Sequence, residues 1–262
     1  MDLHGKRVLV TGASRGIGER IARRCAAAGA DVAVVARSRE AVEKVAADVG
    51  GRAYCVDLSE PAEVAGLIGR IEEDGALDVL VNNAAIDVTG RFTALSDDEV
   101  QRIGQTNLLT PIQLCRQVLP LMTARRGGHI VNVSSLAGTN ALPGFVTYSA
   151  TKAGLSHFTA CLRAEVRGGP VTTTLVQIGP TQTEMWDSVV SYPPAARAVA
   201  RLRRLGLIVD LDADDVAAAV VGAIVRRRRH VRLPRRDLAF PLLVEGPRRL
   251  TELLLTGLQE RS

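Results

Sequence analysis

The octapeptide Thr11-Gly12-Ala13-Ser14-Arg15-Gly16-Ile17-Gly18 constrains the fold of this chain more than any other stretch. It follows Lys6-Arg7-Val8-Leu9-Val10, a strand by its apolar content, and precedes a helical pattern from Ile21 to Ala28 that Gly29 stops. Strand, glycine-rich turn and helix in that order are what a nucleotide-phosphate loop requires. Glycines let backbone N–H groups come close to a pyrophosphate, and the helix N-terminus attracts its charge. The spacing here is GxxxGxG rather than GxGxxG.

The chain continues in the same rhythm. Val32-Ala33-Val34-Val35-Ala36 reads as a second strand, with Asp31 before it as a turn residue. Where a dinucleotide fold places a carboxylate against a free ribose hydroxyl, this chain has Ala36, Arg37 and Ser38. Arg37, helped by Arg15, therefore argues for NADP(H) over NAD(H). A helix from Ser38 to Val49 ends at Gly50-Gly51, and Arg52 to Val56 is a third strand. Ser59 is an expected N-cap for a helix reaching Asp74, and Leu77 to Val81 makes a fourth strand before Asn82-Asn83-Ala84-Ala85. Strands and helices alternating about every 25 to 30 residues indicate a parallel sheet covered on both faces. The expected fold is α/β, a Rossmann-like, doubly wound, mostly parallel seven-stranded sheet in a single domain. Ser96-Asp97-Asp98-Glu99 is a capping box opening a long helix to about Leu119. That helix holds Asn107, locally unfavourable there, and Pro111, which predicts a kink.

A second constellation lies downstream. Ile130-Val131-Asn132-Val133 reads as a strand, Ser135 stands at its carboxyl end, and Tyr148 and Lys152 fall four apart on a helix, sharing a face. A phenol titrating near pH 10 is a poor base at neutral pH, and an ammonium one turn away favours the phenolate. The pair supplies a general acid/base, and Ser135 a hydroxyl to hold a carbonyl or alcohol oxygen.

Composition excludes several alternatives. Aromatic residues make up 3% of the chain, too few for base-stacking recognition, so no nucleic-acid role is expected. Cys25, Cys55, Cys115 and Cys161 are scattered, and neither they nor His4, His129, His157 and His230 show metal-ligand spacing. They are read as buried, reduced thiols, with His157 as packing or interface and no metal. No apolar run approaches a membrane span, and a cytoplasmic, unprocessed protein is expected. Of the net charge of +5, residues 226–249 carry nine arginines against Asp237 and Glu245. The basic character thus belongs to the C-terminal end, where Arg229 to Pro234 reads as the last strand and a leucine-rich helix spans roughly Arg248 to Leu258.

With these motifs assembled, the sequence resembles the short-chain dehydrogenase/reductase family from about residue 5 to residue 185. TGASRGIG resembles its cofactor loop, Asp57-Leu58 its adenine contact, Asn82-Asn83-Ala84-Ala85 its NNAG motif and Ile178-Gly179-Pro180 its PG motif. Ala85 stands where the family has glycine, and Ile178 where it often has proline. The resemblance implies a catalytic tetrad of Asn107, Ser135, Tyr148 and Lys152. It further implies cofactor contacts at Gly12, Ser14, Arg15, Gly16, Ile17, Gly18, Arg37, Asp57, Leu58, Asn83, Ala84, Tyr148, Lys152, Gly179, Pro180, Thr181 and Thr183. Substrate contacts are expected at Ser135, Ala137, Leu142, Phe145, Met185 and Trp186. The implied activity is hydride transfer between a nicotinamide and a carbonyl or secondary alcohol, with Lys152 holding the ribose and Asn107 keeping a water in a proton path. An apolar pocket points to a fairly large hydrophobic ketone or alcohol, of steroid, lipid or polyketide type.

Residues 1–236 are taken as the catalytic domain, with a substrate loop over about 181–210. Residues 237–262 are taken as a helical extension packed on the domain or on a partner subunit of a homodimer or homotetramer; the family's usual tail is missing, so the family's tetramer does not transfer directly. Two other readings set against this are a peripheral membrane contact through the basic, leucine-rich tail and a cofactor-binding scaffold without turnover.

Overall fold

The computed structural model describes residues 1–181, 188–189, 191–206 and 208–234. Seven strands form one sheet: β1 (Arg7–Thr11), β2 (Asp31–Ala36), β3 (Arg52–Cys55), β4 (Val79–Asn82), β5 (Gly128–Ser135), β6 (Val171–Ile178) and β7 (His230–Leu233). Their order is β3-β2-β1-β4-β5-β6-β7, and every pairing is parallel. Parallel strands covered on both faces must be apolar on both, and β1 and β4 are buried throughout.

Side chains alternate between the faces. Val8, Val10, Val32, Val34, Val131 and Val133 meet α1 (Gly16–Ala27), α2 (Arg39–Val49) and, toward the C-terminus, α9 (Ala213–Arg226). Leu9, Val35, Leu80 and Ile130 meet α4 (Leu67–Glu73), α6 (Thr110–Ala124) and α7 (Val146–Glu165) on the other face. Burying each such side chain contributes roughly 1.5–3 kcal/mol, which makes the central strands the rigid floor of the molecule. No described helix is long and apolar enough to cross a membrane.

Sequence order reverses between β1 and β4, and open α/β sheets bind ligands at the carboxyl ends of the strands beside such a reversal. The loops leaving these two strands are stitched together. The Thr11 hydroxyl accepts from the N–H groups of Asn83 and Ala84 at 3.0 and 3.1 Å, and the Asn83 amide donates to the Thr11 carbonyl at 3.0 Å.

Several local expectations are corrected. α1 begins at Gly16, not Ile21, so two of the loop glycines belong to its first turn. Asp31 is the first residue of β2 and pairs with the Arg7 guanidinium rather than sitting in a turn. The helix expected up to Asp74 is broken at Gly66, whose φ of +71° is left-handed, into α3 (Pro61–Val64) and α4. Ser59 does not cap it, because its hydroxyl is bonded to Asp57.

The capping box at Ser96 and Glu99 forms and opens α5 (Asp97–Gly104). The expected kink is instead a π turn over Gln105–Leu109, after which α6 runs through Pro120 to Ala124. Pro111 has no N–H to donate to the Asn107 carbonyl, so the ladder widens there by one residue. The last strand is shorter than expected, and the extension at 237–262 lies outside the described residues.

Candidate active site

A cleft of about 470 Å³ opens over the carboxyl ends of β1, β4, β5 and β6. At one end the loop after β1 supplies Gly12, Ser14, Arg15, Gly16, Ile17 and Gly18 to its wall. A Cβ on Gly12 would stand 2.7 Å from Ala84 Cα, and one on Gly18 would stand 2.2 Å from the Gly12 carbonyl oxygen. Glycine is required here because the two loops meet with no space for a side chain, and the N-terminus of α1 is left facing the cleft. That cradle fits the pyrophosphate of a dinucleotide.

Arg15, Arg37, Asp57 and Leu58 continue the wall. Burial alone would raise the Asp57 carboxyl. Hydrogen bonds from the Ser59 hydroxyl and N–H, at 2.7 and 2.9 Å, with the Arg37 and Arg102 guanidiniums nearby, hold it below its ordinary value instead. It is therefore an ionised acceptor at neutral pH. Arg102 also lines the cleft and was not singled out from the sequence. Only its place five residues before Asn107 on a capped helix could have signalled it.

At the other end β5 delivers Ser135 and α7 delivers Tyr148 and Lys152. The Ser135 hydroxyl accepts from the Ala137 N–H at 3.1 Å and donates weakly to the Ile178 carbonyl at 3.3 Å. Lys152 is 2% exposed, and its ammonium donates to the Val133 carbonyl at 2.9 Å while lying 5.7 Å from the centre of the Tyr148 ring. Burial lowers the lysine to about 8. Burial likewise pushes the Tyr148 phenol up to about 12; the Ser135 hydroxyl beside it pulls the other way and the Asp87 carboxylate adds to the rise. The four-residue spacing predicts a deciding influence of Lys152 on this phenol; desolvation is the larger effect instead.

Asn107 is fully buried and does not face the cleft. Its side-chain oxygen accepts from the Ile86 N–H and its amide donates to the Ile86 carbonyl, both at 2.8 Å, with a further bond to Thr151 at 3.3 Å. The widened turn thus clamps the loop after β4 from behind. Beneath it Asn82 donates to Asn132 at 2.8 Å and Asn132 donates to Thr159 at 2.9 Å, a polar ladder joining β4, β5 and α7.

Gly179, Pro180 and Thr181 close the cleft from the end of β6, and Ala137, Leu142 and Phe145 form the wall opposite the glycine loop. Phe145 packs with Val189, Ala195 and Val199, the last two from α8 (Pro193–Arg204). Val189, Val199 and Ile208 also line the cleft and were missed, because nothing local in the sequence separates them from core residues. Asp87 was missed too, although an acid among Ala84, Ala85, Ile86 and Val88 was a signal. Thr183, Met185 and Trp186 lie outside the described residues.

The arrangement can hold a dinucleotide along its glycine side and move a proton at its tyrosine side. The family model for short chain dehydrogenase matches residues 6–193. The chain is 40% identical over 202 residues to the ketoacyl reductase HetN of Nostoc sp., covering 74% of this chain and 70% of that one. It is 33% identical over 222 residues to the 3-oxoacyl-[acyl-carrier-protein] reductase FabG of Escherichia coli, covering 84% and 87%. Its structure is similar, with a TM-score of 0.79, 25% identity and 98% of each chain covered, to a short-chain dehydrogenase from Sphingobium yanoikuyae in complex with NADPH.

Proposed function

The chain belongs to the short-chain dehydrogenase family of oxidoreductases, and from that premise we propose that it interconverts a carbonyl and a secondary alcohol with NADP(H) as cofactor. The observation that carries the reading is the convergence of Ser135, Tyr148 and Lys152 on the same cleft as the glycine loop. The nicotinamide cofactor, when bound, supplies or accepts the hydride.

Every other part of the chemistry falls to the chain. Ser135 hydrogen-bonds the substrate oxygen. Tyr148, held near 12 and so protonated at neutral pH, donates a proton to that oxygen in reduction and takes it back in oxidation. Lys152 would hold the ribose hydroxyls and favours the phenolate once it forms. Asn107 positions the loop after β4 and would keep a water in a path toward Lys152. Gly12, Ser14, Arg15, Gly16, Ile17 and Gly18 would hold the pyrophosphate, Asp57, Leu58, Asn83 and Ala84 the adenosine half, and Gly179, Pro180, Thr181 and Thr183 the nicotinamide half.

Preference for NADP(H) rests on Arg37 and Arg15 beside the glycine loop, with no carboxylate at the end of β2. The similar dehydrogenase holding NADPH supports it. The apolar wall of Leu142, Phe145, Val189 and Val199 supports a fairly large hydrophobic ketone or alcohol, and the two reductases of ketoacyl substrates favour the lipid or polyketide end of that range. We take 181–210, which include α8, as the substrate segment of a catalytic domain spanning 1–236. Exposure of Phe92, Leu109 and Val146 supports a homodimer or homotetramer, which light scattering would measure.

The test is a thermal-shift comparison of NADPH and NADH, followed by a carbonyl and alcohol screen with the preferred cofactor. A larger shift with NADPH at equal concentration and turnover of at least one ketone are expected. An equal shift removes the cofactor preference, and binding without turnover across the panel removes the enzymatic reading.

A further inference from the structure

Besides Asp57, one carboxylate among the described residues lines the cleft, and the chemistry above gives it no place. Asp87 lies on the loop after β4 and lines the substrate end. Its loop is fastened on both sides: Asn107 grips both polar groups of the Ile86 peptide just before it, and the Gly90 N–H donates to the Gly144 carbonyl at 3.2 Å just after. Between these ties the Thr89 hydroxyl donates to Asp87 Oδ2 at 2.7 Å and lies 3.3 Å from the Ser188 hydroxyl. The carboxylate is thus a fixed object rather than a side chain free to swing into water.

Its surroundings define what is missing. Asp87 forms no ion pair with a lysine, arginine or histidine among the described residues, and its own ionisation responds to burial, which raises it, and to Thr89 and the Val88 N–H, which lower it. The nearby walls are apolar, Leu142, Phe145 and Val189 among them. Asp87 lines the same cleft as Ser135 and Tyr148, and its charge adds to the rise of the Tyr148 phenol. Thr89 and the Val88 N–H satisfy part of this half-buried carboxylate, and its remaining acceptor capacity faces the cleft, where a donor group would pair with it.

We infer that Asp87 is the specificity-determining residue of this cleft: it takes a hydrogen-bond-donating group of the substrate, an ammonium or hydroxyl near the carbonyl, and turns away substrates carrying a carboxylate there. The inference rests on the substrate site proposed above and deepens it by naming a class of substrate: apolar ketones or alcohols with a second, donor function.

Four phenyl ketones of one shape test it: butyrophenone, β-hydroxypropiophenone, β-aminopropiophenone and β-benzoylpropionate. Binding to the protein saturated with NADP⁺ is measured by calorimetry, so the result does not depend on turnover. The expected wild-type order is ammonium, then hydroxyl, then alkyl, then carboxylate, with at least tenfold between ammonium and alkyl and again between alkyl and carboxylate. Asp87→Asn is expected to shrink both ratios at least tenfold. Equal affinities in the wild type, or ratios unchanged in Asp87→Asn, overturn the assignment. The wild-type series decides the matter even if the variant does not fold. Binding in the expected order without reduction of any of the four leaves Asp87 in place and counts against the oxidoreductase reading instead.

Discussion

The floor of the cleft and its rim are built differently. On the floor, Lys152, Asn107 and Asn132 are buried, and each side chain is tied to backbone or to another buried group by bonds of 2.8–2.9 Å. On the rim, Phe145, Val189, Ala195 and Val199 form a small separate apolar cluster that joins residues far apart in sequence. Bonds with direction fix position to tenths of an ångström, whereas apolar contacts fix only volume. The difference teaches that this molecule fixes Lys152 and the loop after β4 by directed bonds, whereas the apolar cluster, against which the Tyr148 ring also packs, sets substrate shape and repacks at small cost.

The comparison would break most visibly at Tyr148. Tyr148→Phe is expected to lower kcat by about 10²- to 10⁴-fold, the usual range for a lost general acid, while the NADPH-induced thermal shift persists. Retention of most turnover would make the floor no more important than the rim. Gly18→Val comes next: its side chain collides with the Gly12 carbonyl and Asn83, so cofactor-induced stabilisation should vanish while the sheet still folds, as circular dichroism would report. Arg37→Ser sharpens the picture on the cofactor side. Removing one charge-assisted contact should weaken NADPH roughly tenfold and leave NADH nearly unchanged, as titration calorimetry would measure.

On the rim, Val199→Ala should alter KM for a bulky ketone about two- to fivefold with kcat within twofold, since it removes volume and no directed bond. A kcat loss comparable to that of a floor substitution would contradict the division.

The smallest expected effect concerns stability. His129 is fully buried between the Thr172 and Thr174 hydroxyls, at 2.7 and 2.9 Å, and burial lowers it to about 4, with positive charge nearby adding to the drop. The unfolded chain, with histidine near 6.5, binds the proton more readily, so stability should fall as pH drops from about 6.5 toward 4. His129→Gln should flatten that part of the Tm-versus-pH curve, and an unchanged slope would assign the loss to other groups.

Much of the floor could be read from the sequence because its signals are local. The glycine loop, the β-branched runs and the four-residue spacing of Tyr148 and Lys152 each fix a neighbour in space through the geometry of one element. Asn107 was legible as a residue out of place, but what it holds was not, since Ile86 lies twenty-one residues away and only the turn widened at Pro111 brings them together. Gly66 ends a helix with no flanking loop residues to announce it. His129 looked unremarkable because its two threonine partners sit on the adjacent strand β6. The rim was least legible: Val199 and Ile208 differ from core residues only in facing the cleft, a property no spacing rule carries.

The central claim is that Tyr148 is the proton carrier of this cleft. The most direct measurement is the pH dependence of alcohol oxidation in wild type and in Tyr148→Phe under single-turnover conditions, with NADP⁺ saturating. A wild-type rate that climbs with pH as the phenol deprotonates, beside a variant rate that is low and flat, is the expected result. A variant whose rate climbs with the wild-type slope and amplitude would show that the proton leaves by another group.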